Sequence, residues 1–398
     1  MKKRWGGGLL ILAVLIGYAC YVLLKPLDIR VSFYLKQLGS NPITATNLDY
    51  QRAAIGYIDP SNNSILCRPL GEGDNYTIPR ATASIAKLIT VQVVLDKYPL
   101  EASASSEVIT MTSDDEARYW NSVNMNGSSV RVWTGEQITV RQLLEGILLA
   151  SANNMADSLA IWVFGSMDGY RTAANGWLRE HGLTSTTVGS DASGYDPSTT
   201  STPTDICKIM LLATQNPILS EIMSEGEATM PDGEVIHNTN KLLGQGNIFA
   251  GKTGYTDAAG RGMVVASRHD YFGLPVTTAA VSLSHDSYQG AFDAVNNLTS
   301  TIKDDLRAYH VNTGYVIGRV QGIWGGYSEL ITTKELTTLY WADEPPIISG
   351  QQYYYYSDSI SKHTVIGRLL VGNTSTGIVL KNQIDLPDWR WRLAHPFI

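Results

Sequence analysis

Charge and cysteine are both scarce in this chain. Charged residues make up 17% of its 398 positions, 30 Lys or Arg against 37 Asp or Glu, for a net charge of -7, and no basic run is longer than Lys2-Lys3-Arg4. A nucleic-acid partner needs a concentrated basic face, so none is expected. The 7 histidines are scattered, with no H-E-x-x-H and no Cys/His cluster, and a metal site is not indicated. Three cysteines, Cys20, Cys67 and Cys207, do not make a disulfide framework. Cys20 lies inside a hydrophobic segment; a Cys67 to Cys207 bridge is permitted outside the cytoplasm, although spacing alone does not bring the two together. No internal repeat of fixed period is visible. What the chain does have is hydrophobic residues at 44%, enough to bury a core for two domains plus an appendage.

The N-terminus, MKKRWGGGLLILAVLIGYACYVLLKPL, is a short cationic head followed by an uncharged run from about Trp5 to Leu24. Roughly 20 residues is near the length that crosses a ~30 Å hydrocarbon core. The positive head should remain in the cytoplasm, which places everything after Lys25 outside. A cleaved signal peptide is the rival, but no A-x-A-like site follows and Tyr18 and Tyr21 stand where small residues are needed. The expectation is an uncleaved, single-pass membrane anchor. Pro26 to about Asn47 then reads as a membrane-proximal stalk or a first helix.

Further along, AAIGYIDP (Ala53 to Pro60) alternates and is rich in β formers, with the turn DPSNNS behind it, which predicts a strand and hairpin. A helix is predicted from the stretch ATASIAKLIT (Ala81 to Thr90) through Leu95. A second helical block covers Val140 to Gly165, with apolar Leu143, Leu144, Ile147, Leu148 and Leu149. Another runs near Thr202 to Thr214, where Pro203 after a threonine marks a helix start. GMVVASR and PVTTAAVSL are strand-like, and a helix from about Tyr288 to Tyr309 closes this part. From Val311 onward, short strand-like pieces separated by Gly, Asp, Asn and Pro give the texture of a small all-β domain. The aromatics Trp324, Tyr340, Trp341, Tyr353 to Tyr356, Trp389 and Trp391 concentrate there, and strand-core and edge roles are expected of them before a glycan-facing one.

Serine is a weak nucleophile until a neighbouring base takes its proton. Ser84 and Lys87 stand three residues apart, on one face of a helix, and a partly desolvated lysine amine can serve as that base. The pattern is weak alone, since S-x-x-K recurs at Ser300/Lys303 and Ser359/Lys362. Its company strengthens it. Ser151-Ala152-Asn153 interrupts the apolar run GILLA and MADSLAIWV, and polar residues in a buried stretch need a reason. Lys252-Thr253-Gly254 is the only K-T-G in the chain and precedes a strand-like region, so Gly254 would let a substrate backbone lie beside an edge strand while Lys252 supplies positive charge.

In the order S-x-x-K, S-x-N, K-T-G, these triplets form the set used by penicillin-binding proteins and class A β-lactamases. The chain resembles the D-alanyl-D-alanine carboxypeptidases of the low-molecular-mass penicillin-binding protein family. NTNKLLG (Asn238 to Gly244) with GKTGYTDAAG (Gly251 to Gly260), TVRQLLEGILLASANNMADSLA (Thr139 to Ala160) and ASGYDPSTTSTPTD (Ala192 to Asp205) carry the likeness, which covers roughly Ala53 to Tyr309. The resemblance implies a mixed α/β fold: a β-lactamase/transpeptidase-like domain with an antiparallel sheet flanked by helices, plus a small C-terminal all-β domain. The implied layout is a head and anchor at 1–26, a stalk at 27–47, a catalytic domain at 48–310 and a β-rich domain at 311–398.

The resemblance further implies that Ser84 is acylated by the penultimate D-Ala carbonyl of a peptidoglycan stem peptide, with Lys87 as its base. Ser151 would relay a proton to the leaving amine, and Asn153 would hold the substrate amide and Lys87. Lys252 and Thr253 would bind the terminal carboxylate beside Gly254, and the backbone N–H groups of Ser84 and Tyr255 would form the oxyanion hole. β-Lactams would be acylating inhibitors, and neither metal nor organic cofactor would be needed. Two departures stand out. The C-terminal LPDWRWRLAHPFI is too short and Pro-broken for the amphipathic anchor helix the family commonly carries, and Ala83 and Ile85 differ from its usual Ser/Thr-rich flank.

Two rivals come from the same residues. Gly246 to Thr253 satisfies the P-loop pattern G-x-x-x-x-G-K-[ST], but NTNKLLGQ is a poor buried strand and Gly254, Gly260 and Gly262 fall where the following helix should run. A β-lactamase needs a deacylating glutamate between the second and third motifs, and Ser185 to Thr204 contains none.

Overall fold

The computed structural model describes residues 5–41, 52–70, 76–100, 107–271, 273–353, 359–360, 362 and 364–397. The cationic head Met1 to Arg4, the end of the expected stalk and Tyr354 to Tyr356 lie outside them. The chain divides into two compact units, one made of Met1–Asn41 and Ala308–Ile398, the other of Pro42–Arg307.

The first unit begins with helix α1, Trp5–Leu24. Counted over the described residues alone, no helix is long and apolar enough to cross a membrane. Where the sequence suggested a stalk or first helix, Ile29–Phe33 is instead a strand, β1. The reason is its period of two: Ile29, Val31 and Phe33 pack on the core of this unit while Arg30 and Ser32 face out.

The second unit is built on strands β2 (Ala53–Ile58) and β3 (Ile65–Leu70), the predicted hairpin. Helices α2 (Lys87–Lys97), α3 (Ser113–Asn124), α4 (Val140–Leu148), α5 (Asn153–Phe164), α6 (Met167–Glu180) and α7 (Pro203–Gln215) follow. Three strands come next, β4 (Ile248–Thr256), β5 (Gly260–Tyr271) and β6 (Leu274–His285), and then helix α8 (Tyr288–Asp305). Helix starts match the sequence chemistry. Thr139 and Gln142 form a reciprocal capping box on α4, and Thr202 caps α7 with Pro203 in its first turn. The five strands make one antiparallel sheet in the order β4-β5-β6-β2-β3, with β4 at an edge. Its inner strands are buried almost without alternation because α7 and α8 both pack against it. Cys67 of β3 is disulfide-bonded to Cys207 of α7. Gly56 makes room for the bridge, since a Cβ there would meet the two sulfurs at 2.5 and 2.6 Å.

The rest of the first unit differs from the predicted texture in one place: the helix after Tyr288 stops at Asp305, and Leu306–Val311 is already strand β7. Strands β8 (Val316–Gly322), β9 (Tyr327–Thr332), β10 (Leu336–Trp341), β11 (Ile348–Gln352), β12 (Val365–Val371) and β13 (Thr374–Leu380) follow. A six-stranded antiparallel sheet runs β1-β8-β9-β13-β12-β11, and β7 pairs with β10. Trp341 is buried and Trp324 packs on this core while its indole N–H donates to the Asp385 carbonyl at 3.0 Å. The final helix α9, Trp389–Ala394, places Arg392 Nη1 at 2.8 and 2.9 Å from the Leu23 and Lys25 carbonyls, where it satisfies the open end of α1.

Candidate active site

Ser84 sits in a 3-10 turn, Ala83–Ala86, whose last residue leads directly into Lys87 at the head of α2. Two non-glycine residues in the left-handed region flank the site: Ala83 at φ 48° and Ser151 at φ 63°. Ser151 stands in the break between α4 and α5, so the single helical block predicted from Val140 to Gly165 is two helices with the S-x-N triplet at their joint. The interruption of the apolar run marks that break. There the Ala152 N–H reaches the Gly146 carbonyl and the Asn153 N–H reaches Ser128. Backbone strain of this kind persists only where the surroundings enforce it.

β4 supplies the third triplet. At Gly254 a Cβ would lie 3.0 Å from the Thr82 carbonyl and 3.2 Å from the Ile85 N, so the glycine gives space to the turn that carries Ser84. The P-loop alternative fails in the same place, because Gly251, Lys252 and Thr253 lie inside an edge strand.

The three triplets converge within this one unit. Lys87 Nζ lies 2.8 Å from Ser84 Oγ, 2.6 Å from Asn153 Oδ1 and 3.0 Å from the Ser193 carbonyl. Lys252 Nζ donates to Ser151 Oγ at 2.8 Å and to the Thr253 carbonyl at 3.2 Å. The Thr253 hydroxyl donates to Thr239 at 3.0 Å. Ser84 is half-buried, Lys87 and Lys252 are fully buried, and Tyr255 is exposed with the Arg261 guanidinium 4.1 Å above its ring. The site is therefore two serine–lysine pairs, Ser84 with Lys87 and Ser151 with Lys252, and Asn153 is bonded to Lys87. Of the other S-x-x-K matches, Ser300 and Lys303 lie exposed on α8, and the Ser359 side chain is outside the described residues.

Burial governs the charge here. It brings the Lys87 pKa down to about 7, against an opposing pull from the Asp157 and Asp191 carboxylates. Lys252 is pushed well below the ordinary lysine range by burial first and by Lys87 second. A buried amine near neutrality can take a proton from a neighbouring hydroxyl, and the hydroxyl 2.8 Å from Lys87 is that of Ser84.

Ser193 was not predicted by side-chain chemistry, because its contribution is a backbone carbonyl. Its loop is nevertheless within the quoted run Ala192 to Asp205. Asp191 ties that loop together, accepting from the Gly194 and Asp196 N–H groups at 2.7 and 2.8 Å. Two cavities flank the lysines. One of about 370 Å³ is lined by Asn153, Asp157, Ser193 and Arg118; the other, of about 390 Å³, by Thr239, Thr253, Lys241, Tyr288 and Phe292.

Comparison with known proteins gives the family. A family model described as D-alanyl-D-alanine carboxypeptidase, peptidase S11, matches residues 58–281. The chain is 33% identical to the D-alanyl-D-alanine carboxypeptidase DacB2 of Mycobacterium tuberculosis over 49% of this chain and 65% of that protein. It is 31% identical to the D-alanyl-D-alanine endopeptidase of Pseudomonas aeruginosa over 46% of this chain and 58% of that protein. It thus spans less than two thirds of the length of either curated relative. Among solved structures, penicillin binding protein 5 from Haemophilus influenzae shares the fold with a TM-score of 0.61 at 19% identity, covering 87% of this chain and 100% of that one. With the family model spanning more than half of its residues, the chain belongs to the peptidase S11 family of D-alanyl-D-alanine carboxypeptidases.

Proposed function

We propose that the chain is a serine-type D-Ala-D-Ala carboxypeptidase that removes the terminal D-alanine from peptidoglycan stem pentapeptides through an acyl-enzyme on Ser84. The observation that carries this reading is the fully buried Lys87 amine, 2.8 Å from Ser84 Oγ with a pKa of about 7. A neutral amine has two N–H bonds and one lone pair. Asn153 Oδ1 and the Ser193 carbonyl can only accept, so they take the two N–H bonds and the lone pair faces the Ser84 hydroxyl. Ser84 Oγ then attacks the penultimate D-Ala carbonyl as its proton passes to Lys87, and the oxyanion lies against the N–H groups of Ser84 and Tyr255. Collapse breaks the peptide C–N bond, and the proton that Lys87 took from Ser84 passes through Ser151, which Lys252 holds, to the leaving amine, so that Lys87 is neutral again. Lys252 and Thr253 bind the terminal carboxylate. Water, deprotonated in turn by Lys87, attacks the ester carbonyl; the acyl C–O bond breaks, Lys87 returns that proton to Ser84 Oγ, and the shortened peptide leaves.

β-Lactams acylate the same serine in this reading. The uncharged run from Trp5 to Leu24 is read as a single span in the cell membrane, with the catalytic unit on the extracytoplasmic side; the support is in the sequence, the basic head and the lack of charge in that run, and not in any membrane-length apolar helix among the described residues. A labelled penicillin should form one covalent adduct that Ser84→Ala abolishes, and a D-Ala-D-Ala pentapeptide should yield free D-Ala. Intact-mass analysis without an adduct, under conditions that acylate a known family member, sinks the assignment.

A D,D-endopeptidase reading is favoured by the cavity beyond Thr253, which offers a leaving group larger than D-alanine space between Lys241 and Phe292. Cleavage of a cross-linked muropeptide dimer at a rate comparable with pentapeptide trimming selects it.

A further inference from the structure

Asp157 is a half-buried acid that the reaction above does not use. It lies on α5, one turn after Asn153, lines the cavity of about 370 Å³ and accepts the Ala192 N–H at 3.0 Å. The other side of the Ala192 residue is held too: its carbonyl accepts from the Thr90 hydroxyl of α2 at 2.6 Å, and Thr90 is bonded to Tyr170 of α6 at 2.7 Å. Ala192 is thus clamped between two helices, by its N–H to one and by its C=O to the other. The next carbonyl in the chain is that of Ser193, which lies 3.0 Å from the Lys87 amine.

We infer that Asp157 is a positioning residue for acylation: by holding the Ala192 N–H it fixes the Ser193 carbonyl, which with Asn153 takes both N–H bonds of neutral Lys87 and leaves the lone pair aimed at Ser84. Without that carbonyl the amine keeps one fixed acceptor and rotates about it, so the lone pair spends less time on the serine hydroxyl. The inference rests on the peptidase reading and adds a residue to it. Asp191 does a different task, since its oxygens are bonded to the N–H groups of Gly194 and Asp196 and to the Ser193 hydroxyl, all within its own loop.

The carboxylate also acts through its charge. The charged and titratable groups that face it are Lys87 on α2, Arg118 on α3, Tyr170 on α6 and Asp191 on the loop. Burial and the Asp191 carboxylate push its pKa up to about 6. While ionised it favours the ammonium form of Lys87 and holds that pKa higher than burial alone would. Removing the charge therefore moves the acid limb of the acylation profile to lower pH.

Asparagine separates the two effects, because its amide oxygen still accepts the Ala192 N–H but carries no charge. Penicillin acylation of the full chain, followed from pH 5 to 9 and normalised to the fraction that can be labelled, reads both. Asp157→Ala should lower the acylation rate about 10- to 100-fold, as a small misplacement of a catalytic group does, and lower kcat for D-Ala-D-Ala peptide while leaving KM within about twofold. Asp157→Asn should recover most of the rate at pH 8 with its limb displaced to lower pH. If Asp157→Ala melts below the assay temperature, Thr90→Val releases the Ala192 carbonyl instead and should lower kcat in the same way. A wild type that forms no adduct overturns the peptidase reading and this inference together. A reactive wild type matched by an equally reactive Asp157→Ala overturns this inference alone, as does an Asp157→Asn that is as slow as Asp157→Ala or whose limb does not move.

Discussion

Among the described residues no carboxylate is bonded directly to the Lys87 or Lys252 amine, so burial is the largest influence on their protonation and leads the pH behaviour of the site. Below a pH of about 7 Lys87 is an ammonium with no lone pair, and the penicillin acylation rate should fall about tenfold per pH unit as the neutral fraction shrinks. A rate that is flat from pH 5 to 8 removes Lys87 as the base. The same shift has a stability sign. Between about 7 and the ordinary lysine value the unfolded chain binds a proton at this position that the folded chain does not, so this group makes folding stability rise with pH across that window and contributes a constant term below it. Lys87→Arg keeps the positive charge but cannot lose a proton, and should abolish acylation while a chemical-denaturation curve still shows a folded protein.

Among the elements, the edge strand β4 and the turn before α2 are the pair whose contact builds the site. Gly254→Ala places a carbon 3.0 Å from the Thr82 carbonyl and 3.1 Å from Ile85 Cγ1, and the turn must give way. The expected cost is about 1–3 kcal/mol of stability from overpacking, with acylation down about 10- to 100-fold because Ser84 rides on the displaced turn. Thr202→Ala is the contrasting case: it removes the cap of α7, should cost about 1 kcal/mol in a urea melt, and should leave acylation of the folded fraction unchanged. The cap of α7 and the turn signals around β2 and β3 were legible in the sequence because they depend on neighbours within four or five residues. The break between α4 and α5 was visible only as polar residues in an apolar run, since the φ of Ser151 follows from packing.

For the whole molecule, the disulfide closes a loop of 140 residues that contains Ser84, Lys87, Ser151 and Asn153. Chain-entropy reasoning gives such a bridge up to about 5 kcal/mol, so Cys67→Ser with Cys207→Ser should lower the melting temperature markedly, and dithiothreitol should do the same to the wild type. At the other end, a chain starting at residue 27 should leave the membrane fraction and keep full penicillin acylation. A chain starting at residue 42 should lose stability in addition, because it strips β1 from β8 and uncovers that edge of the six-stranded sheet.

By itself the sequence determined the three triplets, their order, most of the helices and strands, and the mixed class of the fold, because hydrophobic period, caps and short motifs are written in adjacent residues. Tertiary structure decided which partners those residues take: Lys252 on Ser151, Lys87 shared between Asn153 and Ser193, and Gly254 against the turn that carries Ser84. It also turned part of the expected stalk into a strand whose paired neighbour in the sheet lies nearly 300 residues away. The physical reason is the same in each case. A backbone carbonyl has no side chain to announce it, and the pKa of a lysine depends on burial by elements that meet only in three dimensions.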